Sequence, residues 1–348
     1  MLKKLVLEIL PHGSIRLQGK RVVETGFQDK ITAKNKALDD FTVVEKTVFT
    51  NTKGELVERW GAFVYDASDF LFSVADKRDE LVEDLIAVVG IDKGTKEWLK
   101  VVLLLIPKGP DGRDRNGPRG QKYSGVNKVF NLAAVPDIPE NNNNIRIILN
   151  RINFWGIACW VAVDHKMKNI LCGIQSHSCT FPCVVCLADK DSLDTIGELR
   201  TVASLGISFE EYVAAGSVKK DAPKFHSVTE QPLLFETLEE VKSSLLLVLD
   251  VLPPSELHHC LRFVNHIYKF MKNFHDGTQS WENIVKEWAK VSLSKRELYH
   301  GGEFEGNQCR SLLEHLSFFE DASGNPKILL MAPFLVTLKE FNEIWKKC

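Results

Sequence analysis

Asp164 closes an apolar run, "GIACWVAVD", and Cys183 and Cys186 follow nineteen residues later as a C-x-x-C pair. A second acid, Asp92, closes another apolar run, "LIAVVGID". Carboxylates at strand ends are hard oxygen ligands, suited to Mg²⁺ or Mn²⁺. Two such ions can activate a water and stabilise a leaving oxygen in phosphoryl transfer. The two thiols are soft ligands at the spacing of half a Zn²⁺ site. Both signals also have an ordinary structural reading: an Asp after a strand commonly caps the next helix, and a free Cys packs as a small hydrophobe. Four of the eight cysteines, Cys172, Cys179, Cys183 and Cys186, fall within fifteen positions. In a reducing compartment such crowding suggests a metal more than a disulfide framework. His177 and Cys179 are alternative local partners for the pair, in a cramped H-x-C-x3-C-x2-C loop.

The elements around these residues follow from hydrophobic patterning. "LIAVVGIDKG", "WLKVVLLLIP" and "NKVFNLAAVP" read as three strands bounded by Gly and Pro. "PENNNNIRIILNRINFW" sets Ile145, Ile148, Leu149 and Ile152 on one helical face, and "GIACWVAVD" is a fourth strand. Three strands, a helix and a strand make the first half of a ribonuclease H-like α/β core. In that arrangement strands one and four are neighbours, so Asp92 and Asp164 are expected within ~8 Å of each other, close enough to share metals. We therefore divide the chain into an α+β lead-in (1–84), the first part of the core (85–180) and a mainly helical insertion, a candidate zinc-binding element, opened by the C-x-x-C (181–348).

The net charge of −2 supplies no global attraction to nucleic acid. The loop 108–128 is an exception. It carries Lys108, Arg113, Arg115, Arg119, Lys122 and Lys128 against Asp111 and Asp114. Such a loop can follow a phosphate backbone, or be a solvated hairpin tip. No run is long and apolar enough to span a bilayer, and the N-terminus does not read as a signal peptide. A nuclear or cytoplasmic, non-secreted location is expected.

The stretch 85–310 resembles the catalytic core of the Transib transposases and the V(D)J recombinase catalytic subunit. Asp164, Cys183 and Cys186 match that family's second acid and its C-x-x-C at the same spacing. "LPPSELHHCLRFVNHIYKF" resembles the Leu-His pair that opens its long insertion helix. "ELYHGGEFEGNQCRSLLEHL" resembles its later turn and helix. The resemblance covers about 225 residues. It implies DNA cleavage and strand transfer by metal-dependent phosphoryl transfer, with Asp92 and Asp164 as catalytic acids and Mg²⁺ or Mn²⁺ as cofactor. It also implies Zn²⁺ on Cys183 and Cys186, DNA as partner, and a homo-oligomer. Asp111 and Asp114 also resemble text near the family's first acid, but Asp92 has the better strand context. The third acid, a Glu, and the two zinc-binding His residues would fall past Cys348. Glu320, Glu340 and Glu343 lack a matching context, and the adjacent His258 and His259 cannot both be ligands on one helix. An incomplete or inactive recombinase is therefore expected of this chain alone. A DNA- or chromatin-binding module and a protein-interaction scaffold are the competing readings.

Overall fold

The computed structural model describes residues 41–76, 81–93, 98–107, 129–192 and 195–253, with short helical pieces beyond residue 260. The chain divides into two compact units, residues 1–254 and 255–348.

The first unit is built on one mixed six-stranded sheet. Its elements are β1 (Thr42–Thr50), β2 (Leu56–Val64), α1 (Ala67–Asp76), β3 (Leu85–Lys93), β4 (Trp98–Pro107), β5 (Val129–Pro136), α2 (Asn142–Arg151), β6 (Trp160–Val161) and α3 (His165–Leu171). The strand order is β1-β2-β5-β4-β3-β6. All neighbours are antiparallel except β3 and β6, which run parallel. The strands read at 85–93, 98–107 and 129–136 therefore form consecutive neighbours, and the fourth lies beside the first. The lead-in strands β1 and β2 extend the same sheet from the β5 side.

Alternation explains which face is buried. In β3, Leu85, Ala87, Val89 and Ile91 are buried and the residues between them are not. In β4, Leu99, Val101, Leu103 and Leu105 are fully buried, as a period of two requires when one face carries a core. Ile145, Ile148, Leu149 and Ile152 of the α2 face all belong to that core, at 0% exposure.

The polar run at the start of α2 has a specific job at each position. Asn141 caps the helix by accepting from the Asn144 N–H at 2.8 Å. The Asn142 amide donates to the carbonyls of Ile170 and Gln231. The wholly buried Asn144 accepts from Thr50 N–H at 2.8 Å and donates back to Thr50 C=O at 2.9 Å. The run thus ties α2 to β1, α3 and the returning chain near 231.

The expected fourth strand is shorter than its apolar run, since only Trp160 and Val161 join the ladder. Beyond it the chain turns into α3, which Gly173 ends at φ +70°. A Cβ there would lie 1.9 Å from the Glu230 carbonyl oxygen, so only glycine fits. After an irregular stretch come α4 (Val202–Ala214), α5 (Leu238–Ser243) and α6 (Val248–Val251).

In the second unit, α7 (Gly306–Glu314) follows Phe304, whose backbone is held by the buried Asn265. Its side chain accepts from Phe304 N–H at 2.7 Å and donates to Phe304 C=O at 3.0 Å. Tyr268 packs edge-on against the Phe304 ring.

Candidate functional site

Two constellations stand in the first unit. One is at the carboxyl ends of β3 and β6. The ladder pairs Val88 with Trp160 and Val89 with Val161, and the Ala162 N–H donates to Val89 C=O at 2.8 Å. The same spacing of 72 residues separates Asp92 from Asp164, but the β6 ladder ends at Val161 and Asp164 lies three residues beyond it. Asp92 is exposed and Asp164 half-buried.

Asp164 is also a helix cap. Its Oδ1 accepts from the Met167 N–H at 2.7 Å at the start of α3. The capping and metal-binding readings of this residue are therefore compatible, because a carboxylate has a second oxygen. Glu140 braces the same region. Its Oε1 accepts from the Lys93 N–H at 2.9 Å, and its Oε2 pairs with Lys166. One largely buried carboxylate thus links the end of β3 to the first turn of α3. Lys168, 4% exposed, donates to Pro253 C=O. Burial pushes its pKa down, while the neighbouring Cys172 and Asp164 oppose that shift.

The second constellation is the C-x-x-C. Cys183 Sγ and Cys186 Sγ are 3.6 Å apart. Two sulfurs on one tetrahedral zinc, at Zn–S ≈ 2.3 Å, would be ~3.8 Å apart. The backbone N–H groups of Val185 and Cys186 donate to the Cys183 sulfur, and those of Ala188 and Gly197 to the Cys186 sulfur. Donors aimed at sulfur favour the thiolate. Burial opposes ionisation at both. At Cys183 burial prevails and the pKa rises; at Cys186 the donors, the Cys183 thiol and the Arg200 guanidinium prevail and the pKa falls.

Arg200 holds this turn together. It is 2% exposed. Its Nε donates to the carbonyls of Cys183 at 2.9 Å and Cys186 at 3.3 Å. Its Nη2 donates to those of Phe181 at 3.1 Å and His226 at 3.0 Å. Burial lowers the guanidinium pKa, and the surrounding cysteines Cys172, Cys183, Cys179 and Cys186 pull it back up. Gly197 closes the other side, where a Cβ would lie 2.6 Å from Ala188 N and from Leu187 C.

Among the described residues, no group of three His, Cys, Asp or Glu is placed to hold a metal. His177 and Cys179 therefore do not complete a site with Cys183 and Cys186. The other two cysteines of the region are chemically quiet: burial pushes the pKa of Cys159 and of Cys172 up to about 12. The basic residues Lys108, Arg113, Arg115, Arg119, Lys122 and Lys128 lie outside the described residues, as do Asp111, Asp114, His258, His259, Glu320 and Glu343. No described helix is long and apolar enough to cross a membrane.

Sequence reasoning missed Glu140, Arg200 and Gly197. Glu140 stands beside Pro139 in a loop, with no periodicity to mark it. Arg200 is a lone cation in "GELRTVAS", and nothing local signals its burial. The chain matches no known protein-family model and no curated protein.

Proposed function

We propose that the chain is a transposase- or recombinase-like protein built on a ribonuclease H-like core, whose chemistry is metal-dependent phosphoryl transfer on DNA. The observation that supports this reading is the parallel pairing of β3 with β6, the two strands that lead to Asp92 and Asp164. The partial order β5-β4-β3-β6, with only the last pair parallel, supports the core assignment. The residue types fit the group in part: two carboxylates, one on an exposed and one on a half-buried residue, suit a hard divalent cation. Bound there, Mg²⁺ or Mn²⁺ would activate water and stabilise the leaving oxygen.

The chain's own residues would do the following. Asp92 and Asp164 would share the ion from adjacent strand ends. Glu140, tied to Lys93 and Lys166, would keep those ends from splaying. Cys183 and Cys186 would supply two ligands of a structural zinc, in a turn that Arg200 and the four N–H donors already shape. The loop 108–128 would contact the phosphate backbone, and DNA affinity would fall as salt rises. With two acids alone, in-line geometry for cleavage is lost. Cutting by this chain in isolation is therefore not expected, and binding without cutting is the second reading. It is favoured because, among the described residues, no group of three His, Cys, Asp or Glu is placed to hold a metal, and the nearby Glu140 is engaged by Lys93 and Lys166.

The test is an Mn²⁺ titration with a supercoiled plasmid present. Wild type should bind Mn²⁺ in roughly the millimolar range, as two ligands imply, and leave the plasmid uncut. Asp164→Asn and Asp92→Asn should each lose the ion. Nicking abolished by Asp164→Asn would reveal a completing acid and an active enzyme. Mn²⁺ binding indifferent to both substitutions would sink the reading.

A further inference from the structure

Among the described residues β6 is the last strand in the sheet order, and no described strand lies on its outer side. The Ala162 N–H to Val89 C=O bond fixes which groups point inward. In a parallel ladder with that phase, residues 160 and 162 bond to β3, and the N–H and C=O of Val161 point outward. A free edge of this kind is a template for pairing with another chain. Trp160, 63% exposed, marks its open face.

A cleft of about 330 Å³ runs along this same edge. Ile157, Cys159 and Val161 form one wall, and Leu234, Phe235 and Val251 are among the residues lining the rest. This wall runs from the irregular chain after the Phe154–Gly156 turn into β6, whose strand residues are Trp160 and Val161. The lining residues include three carboxylates, Glu236, Glu240 and Asp250, and no lysine or arginine. Glu240 is engaged with Thr237 as a helix cap, and Asp250 accepts from Leu247 N–H at 2.9 Å. Among the described residues no cation pairs with any of the three. Leu245, 96% exposed, and Leu246, 45% exposed, extend the apolar surface at the cleft.

We propose that this edge and cleft receive an extended segment of a partner protein, apolar at alternate positions and carrying a lysine or arginine. Backbone pairing to Val161 sets the register. Every second side chain of the segment enters the apolar cleft, since strand side chains alternate in direction. The acidic rim selects the basic residue and rejects acidic segments. The site is separate from the chemistry at Asp92 and Asp164 and does not depend on it.

The experiment is selection of a phage-displayed random heptapeptide library on the full-length chain. The enriched peptide is then synthesised, and its affinity measured by fluorescence anisotropy. The expected consensus alternates Val, Ile or Leu and includes Lys or Arg. N-methylation of the amide that pairs with Val161 should weaken binding by about tenfold, the worth of one hydrogen bond at the upper end of its range. Glu236→Lys, at an exposed position with no hydrogen bond to lose, should weaken it by at least about threefold. A peptide whose affinity ignores both N-methylation and Glu236→Lys overturns the proposal, as does the absence of any consensus. Self-association of the chain in sedimentation, removed by Trp160→Glu, also overturns it by making a second copy the occupant.

Discussion

The carboxylate ends of β3 and β6 and the cysteine turn at 183–186 solve opposite problems. Around the cysteines nearly every polar group is already satisfied. Four N–H donors reach two sulfurs, and one buried guanidinium takes four carbonyls. The acids instead follow the ends of two paired strands, Asp92 at an exposed residue position and Asp164 at a half-buried one. Removing any member of the turn therefore strands buried polar groups. The acids follow two paired strands, and in the proposed reading they act through a bound ion. Loss of a group should therefore cost stability at the turn and ligand binding at the acids.

The largest effect is expected at Arg200. Arg200→Met leaves buried carbonyls without donors and should cost about 3–5 kcal/mol, read from denaturant midpoints. It should also raise the Cys186 pKa, since the guanidinium is one of the groups drawing it down. A cost below about 1 kcal/mol, within the range of an ordinary surface change, would erase the contrast between the two regions. Next comes Gly197→Ala. Its Cβ would meet backbone atoms at 2.6 Å, so the turn must shift, at about 1–3 kcal/mol as overpacking usually costs. Thermal unfolding of the metal-free protein is the measurement.

Smaller effects are expected at the acids. Glu140→Ala strands the Lys93 N–H, which now donates to its carboxylate, and should cost about 1–2 kcal/mol. It should also weaken Mn²⁺ binding if the brace holds the two strand ends together. Smallest is Asp164. Asp164→Ala removes the cap of α3 and should cost about 1 kcal/mol, whereas Asp164→Asn keeps a capping oxygen and should cost a few tenths. Metal binding should be lost in both. This divergence between stability and binding separates a ligand from a cap.

Much of the sheet was legible in the sequence because period-two burial is a local signal. β3, β4 and β5 emerge where apolar runs stop at Gly and Pro. The adjacency of β3 and β6 was legible only through the order of elements. The length of β6 was not, since its apolar run continues into a segment that leaves the ladder after Val161. The four asparagines at 141–144 read as a polar stretch, yet two are buried and pin three distant elements. Arg200 was invisible for the same reason. Its partners lie 14 to 26 residues away, at Cys183, Cys186, Phe181 and His226. Side chains that bond to distant backbone leave no periodic trace.

The central claim is that Asp92 and Asp164 act as one site. Paramagnetic broadening by Mn²⁺ in amide NMR spectra tests it directly. The amides around Lys93 and around His165 should broaden together as Mn²⁺ is added. Asp92→Asn should abolish the broadening at both places, including the strand it does not belong to. Broadening at His165 that survives Asp92→Asn unchanged would show two independent carboxylates and contradict the shared site.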